Sequence, residues 1–346
     1  MARQVTQSVE ELEKYCASLR AAGLDAPWAR PGPLIEPKKT RVQPCLWRWA
    51  EIEPLLRRSA EFVAPDRGAE RRILRLANPG VPERTSTHTI SVAVQYLLPG
   101  EVAPAHRHTP NAIRFMLRGQ GAYTTVNGDK CLMMPGDLVL TPSLMWHDHG
   151  NEGTEPVIWL DGLDSPIVRY LETLTVEPHS EGRQPTGGLV GLSERRFGAV
   201  GLRSAWVAPG TGPHQLIHYR WESTYAALLR LAELEPSPFD DVMMEYIDPT
   251  TGRSILPTMG CYIQMIRPAV RTRPHRQTSS AIYQAVRGSG STVIDGVPYQ
   301  WQEGDCFVVP PWARHEHANE RAEPAILFSL QDVPLLAALG LYREEE

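Results

Sequence analysis

Laid over itself with His106 on His275, the sequence falls into register with its own second half. Gly119 meets Gly288, Gly136 meets Gly304, His147 meets His315 and Asn151 meets Asn319, with one residue lost near Asn127-Gly128. A spacing of roughly 168 residues is far too long for a stacked solenoid and instead indicates a duplicated domain. The 346 residues are enough for two domains that each bury a core. Within each copy the punctuation is that of short strands joined by turns. In the first copy, glycines at 100, 119, 128 and 136 and prolines at 104, 135 and 142 interrupt runs whose alternate residues face inward and outward. Asn127-Gly128 is a hairpin signal. The expectation is a mainly β protein with two barrels of one fold.

The first copy carries the chemistry. His106 and His108 are two apart in an extended segment and so emerge on one face of a strand. A His-x-His on a strand is by default a surface pair, but His147, a hairpin's length later, can complete three ligands on one side of a metal ion. If position 112 faces that ion, alternation brings Arg114 to the same interior face. A guanidinium inside a barrel needs an anion: either a substrate carboxylate, whose planar geometry it matches, or an internal ion pair with Asp161 or Asp164. His149 shares the face of His147, as a proton-handling or a structural histidine. Asp161, as an orienting carboxylate, and Gln95, as a pocket-lining amide, are further candidates. In the second copy Gln277 stands in place of the second histidine and Tyr283 in place of the arginine, leaving His275, His315 and His317. That site is expected to be degenerate, with His275 and His315 still able to bind a metal weakly.

Charge excludes some partners. A net charge of −5 and a pI near 6.1 give no basic field for nucleic acid or anionic lipid. No stretch approaches a membrane span and the N-terminus lacks the apolar core of a signal peptide, so a cytoplasmic protein is expected. Five cysteines without a C-x-x-C pair fit reduced thiols better than disulfides. Ser8-Val9-Glu10-Glu11 reads as a capping box. A Pro-rich extended arm follows from Pro31 to Pro44, a helix over about Ile52 to Phe62, and a strand over Arg71 to Leu76. Five strands are expected over Ile90–Leu98, Asn111–Leu117, Gly121–Val126, Leu138–Thr141 and Val157–Leu160. Helices are expected over Ser165–Leu174, Ser223–Glu235 and Leu335–Tyr342, a long connection over Pro178–Pro213, and strand character again from Cys261 to Leu330. The division is thus an N-terminal arm (1–85), a first barrel (86–175), a linker with a helix (176–250) and a second barrel (251–346).

The pattern Gly100, five residues, His106-Arg107-His108, then Gly119, with Gly136, five residues, Pro142, then His147 and Asn151, resembles the two-part signature of the cupin superfamily. His106-Arg107-His108-Thr109, Arg114-Phe115, Trp146 to Asn151 and Trp159 to Asp164 extend that resemblance. From about Trp47 onward the chain resembles the bicupin gentisate 1,2-dioxygenases and their salicylate-cleaving relatives. The resemblance implies two double-stranded β-helix (jelly-roll) barrels, one Fe(II) per subunit on His106, His108 and His147, and a homotetramer. It also implies an aromatic hydroxy acid and O2 as substrates, with the ring cleaved between the carboxyl-bearing and hydroxyl-bearing carbons and His149 contacting substrate or oxygen. Many cupins have a glutamate where this chain has Ala112; without it, a 2+ ion keeps its full charge for an anionic chelating substrate. Leu144 and Met145 stand where a tryptophan and a threonine are common in gentisate enzymes. An apolar wall there leaves the ring's 5-substituent open among hydroxyl, nitro, halogen and hydrogen, with 1-hydroxy-2-naphthoate a further alternative. The rival readings are a manganese decarboxylase or isomerase, against which Ala112 counts, and a non-enzymatic storage or sensing bicupin.

Overall fold

Two hairpins show the duplication at its most local. Asn127 and Gly128 take φ of 47° and 84° and join Ala122–Val126 to Asp129–Met133; Asp295 and Gly296, at 47° and 82°, join Ser289–Ile294 to Val297–Gln302. Paired left-handed residues give the tight turn whose twist suits antiparallel strands. Because both hairpins are intact and Thr124 and Thr292 pair with His149 and His317 alike, the lost residue is not at this turn. It lies before it, where Gly119-Gln120-Gly121 is shortened to Gly288-Ser289.

The computed structural model describes residues 8–30, 40–63, 72–186, 190–198 and 216–346. It forms two compact units, residues 1–40 and 41–346. In the first, Ser8 caps the helix Val9–Ala21, its hydroxyl accepting from the Glu11 amide while the Glu11 carboxylate accepts from the Ser8 amide. Most of the expected Pro31–Pro44 arm, and part of the Pro178–Pro213 connection, lie outside the described residues.

The second unit holds both barrels, each made of two facing antiparallel sheets. In barrel 1 a six-stranded sheet runs in the order His218–Tyr219, Leu138–Thr141, Ala112–Arg118, Val157–Leu163, Ser91–Leu97, Arg72–Arg75. It faces a five-stranded sheet of Val176–Pro178, Val102–His108, His147–Asn151, Ala122–Val126 and Asp129–Met133. In barrel 2 the six strands are Cys45–Trp47, Cys306–Val309, Ala281–Arg287, Ala325–Gln331, Gly260–Ile266 and Val242–Glu245. The facing four are Val270–Arg271, His315–Asn319, Ser289–Ile294 and Val297–Gln302.

The outer strands of the large sheets are exchanged. Cys45–Trp47, far upstream of barrel 1, pairs with Cys306–Val309 of barrel 2, whereas His218–Tyr219, upstream of barrel 2, pairs with Leu138–Thr141 of barrel 1. Each leads into a helix, Trp49–Arg58 or Trp221–Leu231, capped by an aspartate of the barrel it joins. Asp305 accepts from the Trp49 amide at 2.8 Å, and Asp137 from the Trp221 amide at 2.7 Å. Gly304 and Gly136, both near φ 90°, lie so close to these tryptophans that a Cβ would approach Trp49 to 2.6 Å and Trp221 to 2.5 Å. The strands Cys45–Trp47 and His218–Tyr219, within the spans expected as an arm and a linker, are thus paired into the sheets of the barrels.

This exchange explains why two expected helices begin earlier than local sequence indicates: neither cap is a sequence neighbour. The helix expected over Ile52–Phe62 spans Trp49–Arg58 with a short 3-10 turn, Ser59–Glu61, after it. The helices Ser165–Tyr170 and Val333–Ala338 are shorter than expected or shifted. After the helix Trp221–Leu231, strand structure resumes at Val242 rather than at Cys261. The cysteines are free thiols.

Alternate residues of the large sheets face opposite ways. The outward set of barrel 1, including Val92, Val94, Ile113, Phe115 and Leu160, shares one buried core with Ile263, Ile326, Phe328 and Leu330 of barrel 2. Phe115 and Phe328 stack with ring centroids 4.1 Å apart. Gly162 belongs to this contact, since a Cβ there would sit 2.2 Å from a Leu330 methyl. The inward set is left for each barrel's own use.

Candidate metal centre

His106 and His147 are cross-strand partners on Val102–His108 and His147–Asn151, and His108 ends the first of these strands. Their rings converge, with centroids 4.3 Å apart for His106 and His147 and 4.7 Å for His108 and His147. One ligand nitrogen from each of the three lies within 4.8 Å of the others, and all three residues are buried. Among the described residues no other trio of His, Cys, Asp or Glu meets that limit.

The tautomers follow from the main chain. Nδ1 of His106 lies 2.8 Å from Pro104 O, that of His108 2.7 Å from Pro110 O, and that of His147 2.8 Å from Met145 O. A carbonyl only accepts, so each Nδ1 carries the proton and each Nε2 turns a lone pair to the cluster. His147 Nε2 is buried with no hydrogen-bond partner among the described residues, which costs about 1–3 kcal/mol unless a cation takes the lone pair. Burial, reinforced by the charges of Arg114, His106 and His108, pushes His147 well below the ordinary histidine range. Neutral imidazoles are the form that binds metal. Ala112 is fully buried and adds no carboxylate.

Arg114 stands opposite Asp161 and Val139 in the register of its sheet. It is 1% exposed. Its Nε lies 3.2 Å from Asp161 Oδ1, and its Nη1 donates to Thr141 Oγ1 at 2.6 Å. Trp159 Nε1 donates to the same Asp161 oxygen at 3.2 Å. Of the two carboxylates considered as internal partners, Asp161 pairs with Arg114. Asp164 instead accepts from the amide and the side chain of Asn111 and from Thr258.

His149 lies beside the cluster, its ring centroid 5.4 Å from that of His147, and its Nδ1 meets Thr124 Oγ1 at 3.1 Å. Gln95 is the cross-strand neighbour of Trp159 and is fully buried, with neither amide atom hydrogen-bonded among the described residues. Leu144 is different. In a left-handed turn at φ 61°, its amide donates to His108 O while its side chain is 48% exposed. Met145 is partly buried, and its carbonyl holds His147. The structure thus gathers His106, His108, His147, His149, Arg114 and Asp161, sets Gln95 on the same inward face, and leaves Leu144 at the surface. Thr124 and Thr141, not singled out from sequence, complete the hydrogen bonding together with Trp159, which the sequence marked only as part of the family pattern. Thr124 had a readable signal, since Thr292 repeats it.

At the positions equivalent to His108, Arg114 and Asp161, barrel 2 has the neutral Gln277, Tyr283 and Ser329. Gln277 Nε2 donates to Gln331 Oε1, Gln331 donates to Ser329, and Tyr342 donates to Gln277 Oε1. Tyr283 stacks on Phe307 with centroids 4.9 Å apart. His317 bonds Thr292 as His149 bonds Thr124.

A cupin domain model matches the chain twice, over residues 93–162 and 262–331. The chain is 42% identical over 316 residues to a 5-aminosalicylate 1,2-dioxygenase of Comamonas sp., covering 89% of this chain and 83% of the relative. It is 39% identical to a gentisate 1,2-dioxygenase of Streptomyces sp., over 96% of this chain and 94% of the relative. The crystal structure of a salicylate 1,2-dioxygenase from Pseudoaminobacter salicylatoxidans with gentisate superposes with a TM-score of 0.89. That structure shares 32% identity, with 99% of this chain and 96% of that one covered. Among the described residues, no helix is long and apolar enough to cross a membrane.

Proposed function

The chain belongs to the gentisate and salicylate 1,2-dioxygenase family of bicupins and is a ring-cleaving dioxygenase; from that premise we propose that its substrate is a salicylate with an electron-donating group at carbon 5, gentisate or 5-aminosalicylate, and that its metal is one Fe(II) on His106, His108 and His147. The observation that carries the substrate class is Arg114, a buried guanidinium on the inward face beside a cluster of neutral imidazoles. A planar carboxylate fits that fork, and an ortho phenol oxygen next to it extends toward the histidines.

Held by these three neutral ligands, a ferrous ion would keep its 2+ charge for a chelating anion and would supply the redox path between an electron-rich ring and O2. The protein's own groups do the positioning. Asp161, held by Trp159, sets the plane of the Arg114 guanidinium, and Thr141 holds its other end. Thr124 fixes the ring of His149, whose Nε2 takes the phenol proton as the substrate binds. Gln95 offers an amide to the polar edge of the ring. The names of the 5-aminosalicylate and gentisate relatives support a donor at carbon 5.

The test is oxygen uptake by iron-loaded protein given gentisate, 5-aminosalicylate, salicylate, 5-nitrosalicylate, 1-hydroxy-2-naphthoate and oxalate. Uptake matched by a ring-opened product is expected with gentisate or 5-aminosalicylate, and none with oxalate. Faster turnover of 5-nitrosalicylate than of either donor-substituted acid would overturn the preference at carbon 5. No uptake with any aromatic acid would overturn the reading as a whole.

A further inference from the structure

Barrel 2 has lost its third histidine, yet the other two keep the cross-strand pairing and ring spacing of the metal-binding pair. His275 and His315 exchange both main-chain hydrogen bonds, at 3.0 and 2.8 Å, and their ring centroids are 4.4 Å apart, against 4.3 Å for His106 and His147. His315 Nδ1 faces Ala313 O at 3.3 Å, as His147 faces Met145 O. Its Nε2, like that of His147, is buried without a hydrogen-bond partner among the described residues. His315 itself is 1% exposed.

Gln277, at the vacated ligand position, is turned away into its bonds with Gln331 and Tyr342. A carboxylate from outside the repeated motifs stands nearby instead. Asp240 precedes the edge strand Val242–Glu245, and its Oδ1 lies 3.9 Å from His275 Nε2. Ser237 donates to the other oxygen at 3.2 Å, which orients the carboxylate as outer groups orient metal ligands. Two donors about 2.1 Å from one ion are at most about 4.2 Å apart; the His275–Asp240 pair is within that span, whereas the trio with His315 exceeds 4.8 Å, so the partly exposed Asp240 side chain must swing inward to complete the set. Both residues line a cavity of about 470 Å3, together with Tyr262, Gln277 and Tyr283, which gives an ion a path in.

We propose that barrel 2 holds a second, weaker divalent transition-metal site made of His275, His315 and Asp240. Two imidazoles and one carboxylate with positions left open form a recurrent transition-metal ligand set. Its three donors are less tightly gathered than those of barrel 1, so its affinity is lower.

The probe is Co2+ added to metal-free protein, read by elemental analysis and by the visible absorption of the bound ion. Wild-type protein should take up two equivalents in two steps. His106→Ala, with the first centre disabled, should keep the weaker step, and Asp240→Asn in that background should weaken it at least tenfold. Uptake limited to one equivalent in wild type, or unchanged affinity in Asp240→Asn, would overturn the proposal. Should His106→Ala not fold, Asp240→Asn in the otherwise wild-type chain must still lose the second step selectively; equal loss of both steps, or of neither, counts against the site. Because these readings use cobalt and no aromatic acid, they are independent of whether the iron and substrate assignments hold.

Discussion

Barrel 1 and barrel 2 share strands, hairpins and cross-strand histidine pairs, and they differ in what points inward. Where barrel 1 has Met133, Val139, Arg114, Asp161 and His108, barrel 2 has Trp301, Phe307, Tyr283, Ser329 and Gln277. The first interior is a buried ion pair beside three imidazoles. The second is filled by aromatic rings, with Tyr283 and Trp301 near-parallel to Phe307 at centroid distances of 4.9 and 6.1 Å. The outward faces stay apolar in both because each is the other's core. Strand alternation makes the two faces separable, so chemistry can be lost from one face while the fold is kept by the other.

The sharpest way to break this contrast is at the ligands. His147→Ala should remove the bound metal and lower turnover by about a thousandfold or more; elemental analysis showing undiminished metal would contradict the role of barrel 1 as the metal centre. Next comes conversion toward barrel 2. Arg114→Tyr should retain metal and lower kcat/KM by about a hundredfold or more, mainly through KM. It should also destabilise the protein by about 3–5 kcal/mol, because Asp161 is left as a buried unpaired charge. Adding Asp161→Ser should restore much of the stability in denaturant titrations but none of the turnover, which separates the ion pair's two duties.

What the barrels share can be tested in the same way. Phe328→Ala opens a cavity against Phe115 and should cost about 3–5 kcal/mol. Because strands are exchanged, calorimetry should still show one transition; two resolved transitions would mean that the barrels unfold separately.

The smallest expected effect concerns a device that only barrel 1 has. His218, on its exchanged strand, lies 3.0 Å from Asp137 and 2.6 Å from Glu194, whereas barrel 2 has Leu46 at that place. Burial alone would lower the His218 pKa, but its two carboxylate partners raise it above the ordinary value. Burial alone would raise Glu194, yet bonds from His218 and Arg220 bring it down to about 2. The histidine's contribution is therefore complete below its unfolded pKa, about 6.5, and fades as pH rises through the folded value. The contribution of Glu194 is complete above its unfolded value, about 4.3, and fades as pH falls toward about 2. His218→Gln should cost about 1–3 kcal/mol near pH 6, and the gap in Tm from wild type should narrow as pH rises toward 9. A constant gap would show that His218 acts by packing alone.

Much of this molecule was legible before any coordinates. The period of two, the Asn-Gly turn and the repeated histidines are local features, and local backbone chemistry acts on them directly. They determined two β-barrels, the approximate spans of five strands in barrel 1, and a metal-capable trio in the first copy only. Tertiary structure alone decided the matters that depend on partners far away along the chain. It chose Asp161 over Asp164 for Arg114 and turned Leu144 outward at a strained turn. It also started two helices at Trp49 and Trp221, on caps supplied by Asp305 and Asp137. The exchange of Cys45–Trp47 and His218–Tyr219 has the same origin. A short strand carries too few alternating residues to declare its sheet, so its place is set by the edge left open in the opposite barrel and by the tryptophan that packs on that barrel's glycine.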